Sequence, residues 1–289
     1  MLAAIPSPPF NDLQIGPLTL TLYGLMIALG VIAAVWIAER RWQSRGGDPE
    51  DIAAIATWAV VAGLVGARLY HVATDWRRFE GRWLDVVAIW EGGLGIPGGL
   101  VAGVAMGAWL AHRRGLSVLH VLDAAAPAIP VAQAIGRLGN WFNQELFGGP
   151  SDLPWAVRID PMHRPRDLAN ESTYHPTFLY EALGNLALAA LLVFVLERRF
   201  RLRPGQLFLY YVAGYAALRF AVESVRIDPA TEIFGLRVNL WVSAIAFVSA
   251  FVMIVIRRDA KTVAAVSDRT REVESTRPYA HQDRDDDST

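Results

Sequence analysis

Residues 18–38 read LTLTLYGLMIALGVIAAVWIA, an apolar run without a single charged side chain. A helix of about 20 residues crosses the ~30 Å hydrocarbon core of a bilayer, so this run predicts a membrane-spanning helix. Six more apolar blocks follow, at residues 52–72, 86–111, 118–137, 176–196, 205–222 and 239–256. The pattern predicts an all-α integral membrane protein with seven transmembrane helices and a small segment on the outer face.

The composition agrees with a membrane protein and excludes several functional classes. Of 289 residues, 53% are hydrophobic and 19% are charged, against about 25% charged in an average soluble domain. The net charge of −1 provides no electrostatic footprint for nucleic acid. The chain contains no cysteine, which excludes disulfides, thiolate metal ligands and a cysteine nucleophile. Lys261 is the only lysine and lies beyond the last apolar block, so lysine-based covalent catalysis has no good candidate.

The arginines predict how the spans are oriented. Basic residues follow spans one, three, five and seven, at Arg40, Arg41 and Arg45, at Arg113 and Arg114, at Arg198, Arg199, Arg201 and Arg203, and at Arg257, Arg258 and Lys261. Short basic loops stay in the cytoplasm, so the N-terminus is expected outside and the C-terminus inside. No cleavable signal peptide is expected, because residues 1–17 lack a basic region and no A-x-A-like site follows the first span.

The apolar blocks divide the chain into five parts. Residues 1–17 form an outward N-terminal segment, residues 18–137 the first four spans, and residues 176–256 the last three. Residues 138–175 are polar and contain four prolines. They are predicted to form an outward head or lid, because long loops are commonly functional. Residues 257–289 end in RDDDST and are predicted to be a disordered cytoplasmic tail.

Three arginines occur near the outward ends of even-numbered spans: Arg68, Arg137 and Arg219. Charged groups at such depth are costly and commonly mark a cavity or pathway, although an arginine at a helix end can also extend to the headgroups. The planar guanidinium suits bidentate binding of phosphate. Three of them at a similar depth predict a site for an anionic lipid headgroup.

The densest group of polar residues is GRLGNWFNQELFGG, residues 136–149, where span four leaves the membrane. It combines Arg137 and Glu145 with the amides of Asn140, Asn143 and Gln144. The flanking glycines allow the backbone to approach a ligand closely, and amides both donate and accept hydrogen bonds. A simple interfacial cap would not need so many different polar groups, so this stretch is predicted to be functional.

Two further clusters allow a structural as well as a functional interpretation. In residues 174–181, YHPTFLYE, Thr177 could cap the fifth span, whose early Glu181 suits the helix dipole. In residues 214–223, Tyr215, Arg219 and Glu223 are spaced by four and therefore share one helix face. The Arg219–Glu223 pair could be purely structural.

Other catalytic motifs are not supported. Residues 93–98 satisfy G-x-G-x-x-G, but no strand precedes them, so a kinked or broken membrane helix that lines a cavity is the better interpretation. The six histidines show neither i, i+4 pairing nor H-E-x-x-H spacing, so no metal site is predicted. No G-x-S-x-G sequence provides a serine nucleophile.

Residues 136–148 closely resemble the signature of the bacterial prolipoprotein diacylglyceryl transferase family, G-R-x-G-N-(aromatic)-x-N-x-E-x-x-G. The resemblance extends in the family's order over about residues 18–256. It includes Tyr23-Gly24-Leu25-Met26, Gly66-Ala67-Arg68, Asp123 with Pro127, His175-Pro176 with Tyr180-Glu181, and Arg219 with Glu223 and Arg226.

The resemblance implies an enzyme that transfers the diacylglyceryl group of phosphatidylglycerol to the thiol of a lipobox cysteine in a prolipoprotein, with release of glycerol phosphate. The thiol then belongs to the substrate, in agreement with a chain that has no cysteine. The implied partners are phosphatidylglycerol, the prolipoprotein signal peptide with its lipobox, and membrane lipids. No cofactor is implied, and a monomer is expected. The implied location is the bacterial cytoplasmic membrane, with the active site near the outer leaflet.

On the matching positions, Arg137 and Arg219 are predicted to hold the leaving phosphate, and Glu145 and His175 are the candidate proton acceptors. The predicted phosphatidylglycerol-binding residues are Arg137, Asn140, Tyr23, Gly148, Arg68, Glu223, Tyr215 and Asn143. Pro97 stands where many family members have a histidine before paired glycines, so a mechanism that rests on that histidine cannot hold for this chain. Nearby arginines would themselves favour the thiolate.

The residues alone leave two alternatives. A polytopic lipid transporter or flippase also uses broken helices with polar groups at depth, but here the polar groups cluster on the outer side and the signature matches an enzyme. A structural membrane scaffold is less favoured, because it would not need so many ionisable groups within the spans.

Overall fold

The protein is predominantly helical in a computed structural model that describes residues 4–16, 18–89 and 92–275. The α-helices in this part of the chain are α1 (Leu22–Gln43), α2 (Pro49–Thr74), α3 (Ile96–Arg113), α4 (Val118–Ala125), α5 (Ala128–Asn143), α6 (Thr177–Ala190), α7 (Glu197–Arg199), α8 (Gln206–Glu223) and α9 (Val238–Ser275). A π-helical segment, Leu191–Leu196, joins α6 to the short α7. Short 3₁₀ turns lie at Trp76–Phe79, Trp83–Val87, Pro161–His163 and Arg166–Leu168.

The strands form three small antiparallel hairpins. Strand β1 (Asp12–Ile15) pairs with β2 (Leu18–Thr21), β3 (Val157–Arg158) with β4 (Thr173–Tyr174), and β5 (Glu232–Ile233) with β6 (Leu236–Arg237). Each hairpin lies outside the long helices, so the sheets shape the connections and the helices form the body of the protein.

Four described helical segments are long and apolar enough to cross a membrane: Leu22–Gln43, Pro49–Thr74, Thr177–Arg199 and Val238–Arg257. A fifth is obtained if α4 and α5, bent by 44° with respect to each other, count as one broken span. The prediction of an all-α integral membrane protein is therefore confirmed. Helices α3 and α8 overlap the third and sixth apolar blocks, but the count of seven spans stays a prediction.

Two helices begin later than the apolar blocks that predict them. Helix α1 begins at Leu22 because the Thr21 side chain caps it, accepting a hydrogen bond from the Gly24 amide (3.2 Å). Helix α3 begins at Ile96, with Pro97 in its first turn, where a missing amide hydrogen costs nothing. Hydropathy alone does not distinguish an apolar extended segment from an apolar helix.

Small residues determine how the helices pack. A Cβ atom on Gly30 of α1 would lie 2.8 Å from the Ala132 carbonyl oxygen of α5, and one on Gly139 of α5 would lie 2.6 Å from the Tyr23 ring. Helices α1 and α5 are therefore antiparallel, with Gly30 level with Ala132 and Tyr23 level with Gly139. Close backbone contact through small residues is typical of helix pairs in membranes.

The predicted outward segment, residues 138–175, is folded. Its first residues continue α5 to Asn143, and the remainder packs a small core of Phe147, Val157, Ile159, Tyr174 and Phe178. The N-terminal segment joins it, because the Ile5 amide donates to the Ala156 carbonyl (2.8 Å). The head therefore packs against the start of α6 and is hydrogen-bonded to the N-terminal segment.

Buried Asp123 of α4 is explained by helix capping. Its carboxylate accepts hydrogen bonds from the backbone amides of Gly205 (2.7 Å) and Phe208 (3.0 Å), at the start of α8. Nearby, Arg41 pairs with Glu197 at 2.9 Å. These polar groups stabilise the end of the bundle opposite the head.

Helix α9 has a helical backbone to Ser275, although only Val238–Arg257 is apolar enough to span. It therefore continues into the stretch predicted as a tail. The rest of that predicted tail, residues 276–289, lies outside the described residues.

Candidate active site

A cavity of about 490 Å³ lies between α1, α3, α5, α8 and the start of α9. Its polar lining comprises Tyr23, Gln133, Arg137, Asn140, Arg219, Arg226 and Asn239. Four of these residues, Tyr23, Arg137, Asn140 and Arg219, are predicted from the sequence as site residues. The fold therefore brings residues that are far apart in the sequence to one cavity.

Glu181 forms ion pairs with two of the arginines that line the cavity. Its carboxylate lies 2.7 Å from the Arg137 guanidinium and 3.2 Å from that of Arg219, and the Tyr215 hydroxyl lies 3.4 Å from it. Glu181 is only 2% exposed. The carboxylate orients the two guanidinium groups, and both of them reach the cavity while it does not.

Glu223 forms a second centre of this kind. It is fully buried and lies 2.5 Å from Arg219, four residues earlier on the same face as predicted, and 2.8 Å from Arg237. Arg226 lies 3.7 Å away, and the Asn239 amide donates to Glu223 at 3.2 Å. The buried acid thus holds three guanidinium groups together that would otherwise repel each other.

Asp228 completes the ion network at its outer end. It pairs with Arg226 at 2.7 Å and with Arg237 at 2.9 Å. Burial raises the pKa of Asp228, but the hydrogen bonds and charges of Arg226 and Arg237 outweigh it and hold the pKa below its ordinary value. The network of four arginines and three acids, among them Glu181 and Glu223, carries one positive charge in excess.

The signature residues after Arg137 form a hydrogen-bonded chain. Arg137 donates to the Asn140 side-chain oxygen (3.1 Å), and the Asn140 amide donates to Glu145 (2.9 Å). Asn143 also donates to Glu145, at 3.2 Å. Glu145 therefore fixes which way the Asn140 amide points, with the Asn140 oxygen turned toward the arginine.

The loop after α5 is held in a strained conformation. Gln144 and Leu146 have φ angles of 51° and 58°, a region that non-glycine residues seldom adopt. Gln144 is held by hydrogen bonds to Asp160 (2.7 and 2.8 Å). The Thr177 hydroxyl donates to the Leu146 carbonyl and makes no cap hydrogen bond. Of the two interpretations of this cluster, capping by Thr177 is therefore wrong, and its side chain fixes the signature loop instead.

Glu145 and Asn143 line a second cavity, of about 620 Å³, on the head side. Arg166 and Asp228 also line this cavity. Leu146 lines both cavities. The strained loop therefore separates a cavity within the helices from one within the head.

His175 and Gly148 pair their backbones beside these cavities. The Gly148 amide donates to the His175 carbonyl (2.9 Å), and a Cβ atom on Gly148 would lie 2.9 Å from the His175 Cβ and from the Val225 carbonyl oxygen. The His175 ring nitrogen Nδ1 lies 3.0 Å from the Tyr180 hydroxyl. Gly148 thus permits a close chain crossing, and neither residue lines the helical cavity.

Arg68 does not line the helical cavity either. Its guanidinium donates to the carbonyl groups of Asp85, Val86 (2.8 Å), Gly92 (2.5 Å) and Gly93 (3.1 Å). It therefore fastens the connection between α2 and α3 to the end of α2. This structural role accounts for its buried charge without a lipid ligand.

Comparison with known proteins identifies the family. The family model described as "Prolipoprotein diacylglyceryl transferase" matches residues 12–256. The chain belongs to this family. It is 52% identical over 283 residues to the phosphatidylglycerol--prolipoprotein diacylglyceryl transferase of Frankia alni, covering 93% of this chain and 74% of that protein. The proteins of the same name in Streptomyces griseus and Mycobacteroides abscessus are 49% and 47% identical, each over 88% of this chain and over 78% and 79% of theirs.

The start of α3 also reaches this cavity. Ile96, directly before Pro97, is one of its lining residues. Among the described residues, no group of three or more histidines, cysteines, aspartates or glutamates could hold a metal ion.

Sequence reasoning missed or underrated part of the site. Glu181 is assigned to the helix dipole, whereas it joins Arg137 and Arg219. Arg237 falls in a short outer connection that hydropathy treats as ordinary loop, and Asn239 is the first residue of the seventh apolar block, where one amide does not stand out. Only the charge pattern around Asp228, with arginines on both sides of a short hairpin, could have indicated an ion network there.

Proposed function

We propose that this protein transfers the diacylglyceryl group of phosphatidylglycerol to the thiol of a prolipoprotein lipobox cysteine. The observation that carries the proposal is the cavity in which Arg137, Arg219 and Arg226 converge, with their carboxylate partners buried behind them. Fixed cations in a cavity that excludes water stabilise charge that develops during a reaction. Family membership favours this function over lipid transport, the alternative left open by the sequence.

Arg137 and Arg219 hold the phosphate in this proposal. Glu181 bridges the two, so their planar groups are oriented before the lipid binds. One guanidinium group donates two hydrogen bonds to two oxygens of a phosphate, a geometry that the ammonium group of a lysine cannot reproduce. Tyr215 and Glu223 act through these arginines and position them for the lipid.

Asn140 and Tyr23 orient the polar headgroup. Both line the cavity beside Arg137, and both can donate and accept hydrogen bonds to glycerol hydroxyls. Asn143 and Glu145 fix Asn140, and Gly148 shapes the loop that closes the outer end. Arg68 supports the α2–α3 connection through its contacts with backbone carbonyls, and the lipid contact predicted for it stays a prediction.

The reaction is a displacement at a glyceryl carbon. The cysteine sulfur forms a bond to that carbon, the bond from carbon to the phosphate oxygen breaks, and glycerol phosphate leaves with the electron pair. The cations stabilise the negative charge that the leaving phosphate ester gains. No cofactor is needed to balance these steps.

The thiol proton is lost under the influence of the same cations. An excess of positive charge lowers the pKa of a thiol because it favours the thiolate. His175 is engaged with the Tyr180 hydroxyl and lines neither cavity, whereas Glu145 lines the head-side cavity and accepts a hydrogen bond from Asn140, which lines the helical cavity. Of the two candidates, Glu145 is therefore the better placed acceptor for a thiol that enters from the head-side cavity.

We place the cavity near the outer leaflet of the cytoplasmic membrane, in a seven-span protein with its N-terminus outside. The positive-inside pattern of arginines supports this orientation. A monomer is sufficient, since every residue used above comes from one chain.

The test is direct transfer. The purified protein is mixed with phosphatidylglycerol and a peptide that contains one lipobox cysteine, and the peptide mass is measured. A gain of one diacylglyceryl group, absent when that cysteine is replaced by serine, is expected. Unchanged peptide from folded protein, together with lipid flux across vesicles, would contradict the proposal and indicate a transporter.

A further inference from the structure

The inner end of the helical cavity contains a polar side chain that none of the roles above uses, Gln133. The other residues that line this end, Ile27, Val31 and Ala132, are apolar. The cavity therefore changes from cationic at the head side to apolar toward the membrane interior, with one amide in the apolar part.

The depth of Gln133 follows from the helices. It precedes Arg137 by four residues in α5 and so lies on the same face, about 6 Å further along the helix axis. The antiparallel register of α1 on α5 places it beside the stretch from Ile27 to Val31. Gln133 is thus one helical turn deeper than the proposed phosphate-binding group.

The amide of Gln133 is incompletely satisfied. Its oxygen Oε1 is buried and has no hydrogen-bond partner among the described residues. Since the oxygen has no partner in the described part of the chain, the hydrogen bond of this side chain to Tyr211 of α8 is donated by its amide nitrogen. Because an unpaired polar group is costly at membrane depth, this amide needs a further partner when the cavity is occupied.

We propose that Gln133 recognises an ester group of the lipid's glycerol backbone. A tyrosine hydroxyl both donates and accepts. When the lipid binds, a 180° rotation of the terminal amide therefore lets Tyr211 donate to the Gln133 oxygen while the NH₂ group turns into the cavity. There it donates to an ester carbonyl oxygen, an acceptor without donors of its own. This arrangement satisfies the glutamine on both sides.

The position agrees with the shape of a phospholipid, in which the ester groups follow the phosphate by a few bonds. A phosphate at Arg137 directs the glycerol backbone inward, to the level of Gln133, and the acyl chains onward along Ile27 and Val31. Gln133 then distinguishes a diacyl lipid from a dialkyl ether lipid of the same length, because the ether lacks the carbonyl oxygen.

This inference rests on the proposed function, and its test compares two lipids with the same protein. Peptide lipidation is measured with diacyl phosphatidylglycerol and with its dialkyl ether analogue of equal chain length, and the ratio of the two kcat/KM values is taken. In Gln133→Met, which keeps the length and removes the amide, the ester-to-ether ratio is expected to fall about 3- to 10-fold relative to wild type, as for loss of one neutral hydrogen bond.

Comparing the ester-to-ether ratio of a variant with that of wild type cancels any difference in intrinsic reactivity between the two lipids. The matched control is Gln43→Met, the same exchange at an exposed residue at the far end of α1, which is expected to keep the wild-type ratio. Tyr211→Phe, which removes only the hydroxyl that anchors Gln133, is expected to lower the ratio part-way and provides a second reading if Gln133→Met does not fold.

The possible failures are distinguishable. Wild-type protein that transfers neither lipid would contradict the proposed function itself. Transfer with an ester-to-ether ratio that is the same in wild type, Gln133→Met and Tyr211→Phe would overturn the role of Gln133 alone.

Discussion

Replacing Arg137 by lysine keeps the charge and removes the planar fork, so it isolates what the guanidinium geometry contributes. In the structure, one terminal nitrogen of Arg137 donates to Asn140 (3.1 Å) and the other to Glu181 (2.7 Å). A single ammonium group cannot hold both partners and also pair with two phosphate oxygens.

The expected loss follows from those contacts. One charge-assisted hydrogen bond contributes about 1.5–3 kcal/mol, so the loss of one such bond in the transition state lowers kcat/KM about 10- to 150-fold. The assay is the initial rate of peptide lipidation at several phosphatidylglycerol concentrations. The matched control is Arg114→Lys, because Arg114 makes one ion pair, with Asp51 at 2.7 Å, at the other end of the bundle.

Arg114→Lys is expected to retain the wild-type rate within about twofold, since an exposed ion pair contributes little. Thermal unfolding of both variants shows whether a lower rate is caused by a smaller amount of folded protein. A folded Arg137→Lys protein with a wild-type kcat/KM would refute the reasoning, because the phosphate would then not depend on the guanidinium fork.

Three further perturbations test separate parts of the structure. Gly139→Ala places a Cβ 2.6 Å from the Tyr23 ring, whereas the Cβ of Gly136→Ala meets nothing within 4 Å. Tm is therefore expected to fall by several degrees in Gly139→Ala and to change little in Gly136→Ala. Equal Tm values in the two variants would contradict the α1–α5 packing. Arg68→Ala removes a guanidinium that serves four backbone carbonyls, so Tm is expected to fall while kcat per folded molecule stays within a few fold; a selective rise in KM for phosphatidylglycerol would restore Arg68 as a lipid ligand. The folded protein lowers the pKa of Asp228, so the ionised carboxylate stabilises the protein above about pH 4, and this contribution is lost as the pH falls through the lowered value. The difference in Tm between wild type and Asp228→Asn should therefore shrink on acidification. A difference that does not depend on pH would contradict the ion network.

The sequence predicts the helical body of the protein well because hydropathy reports directly on burial in lipid. It predicts less well where a helix begins. The third apolar block starts at residue 86, but α3 begins at Ile96, since apolar content does not reveal extended or 3₁₀ backbone. The Arg219–Glu223 pair is predicted correctly because a spacing of four places both on one helix face.

Depth along a span does not reveal the direction in which a side chain points. Arg68 and Arg137 are predicted at a similar depth, yet one binds backbone carbonyls and the other lines the cavity. Glu181 has a plausible local role at the start of its helix, and only the packing of α5, α6 and α8 shows that it joins two arginines. Contacts between helices distant in the sequence are not encoded in any local pattern.

The central claim is that the cations hold a phosphate ester that leaves by cleavage of its bond to carbon. The most direct measurement uses phosphatidylglycerol with ¹⁸O in the oxygen that bridges the diacylglyceryl carbon and phosphorus, followed by mass analysis of the released glycerol phosphate. Cleavage between carbon and oxygen predicts that the released glycerol phosphate retains the label and that the lipidated cysteine peptide has none. Label retained on the diacylglyceryl fragment, or glycerol phosphate released without lipidated peptide, would contradict the account.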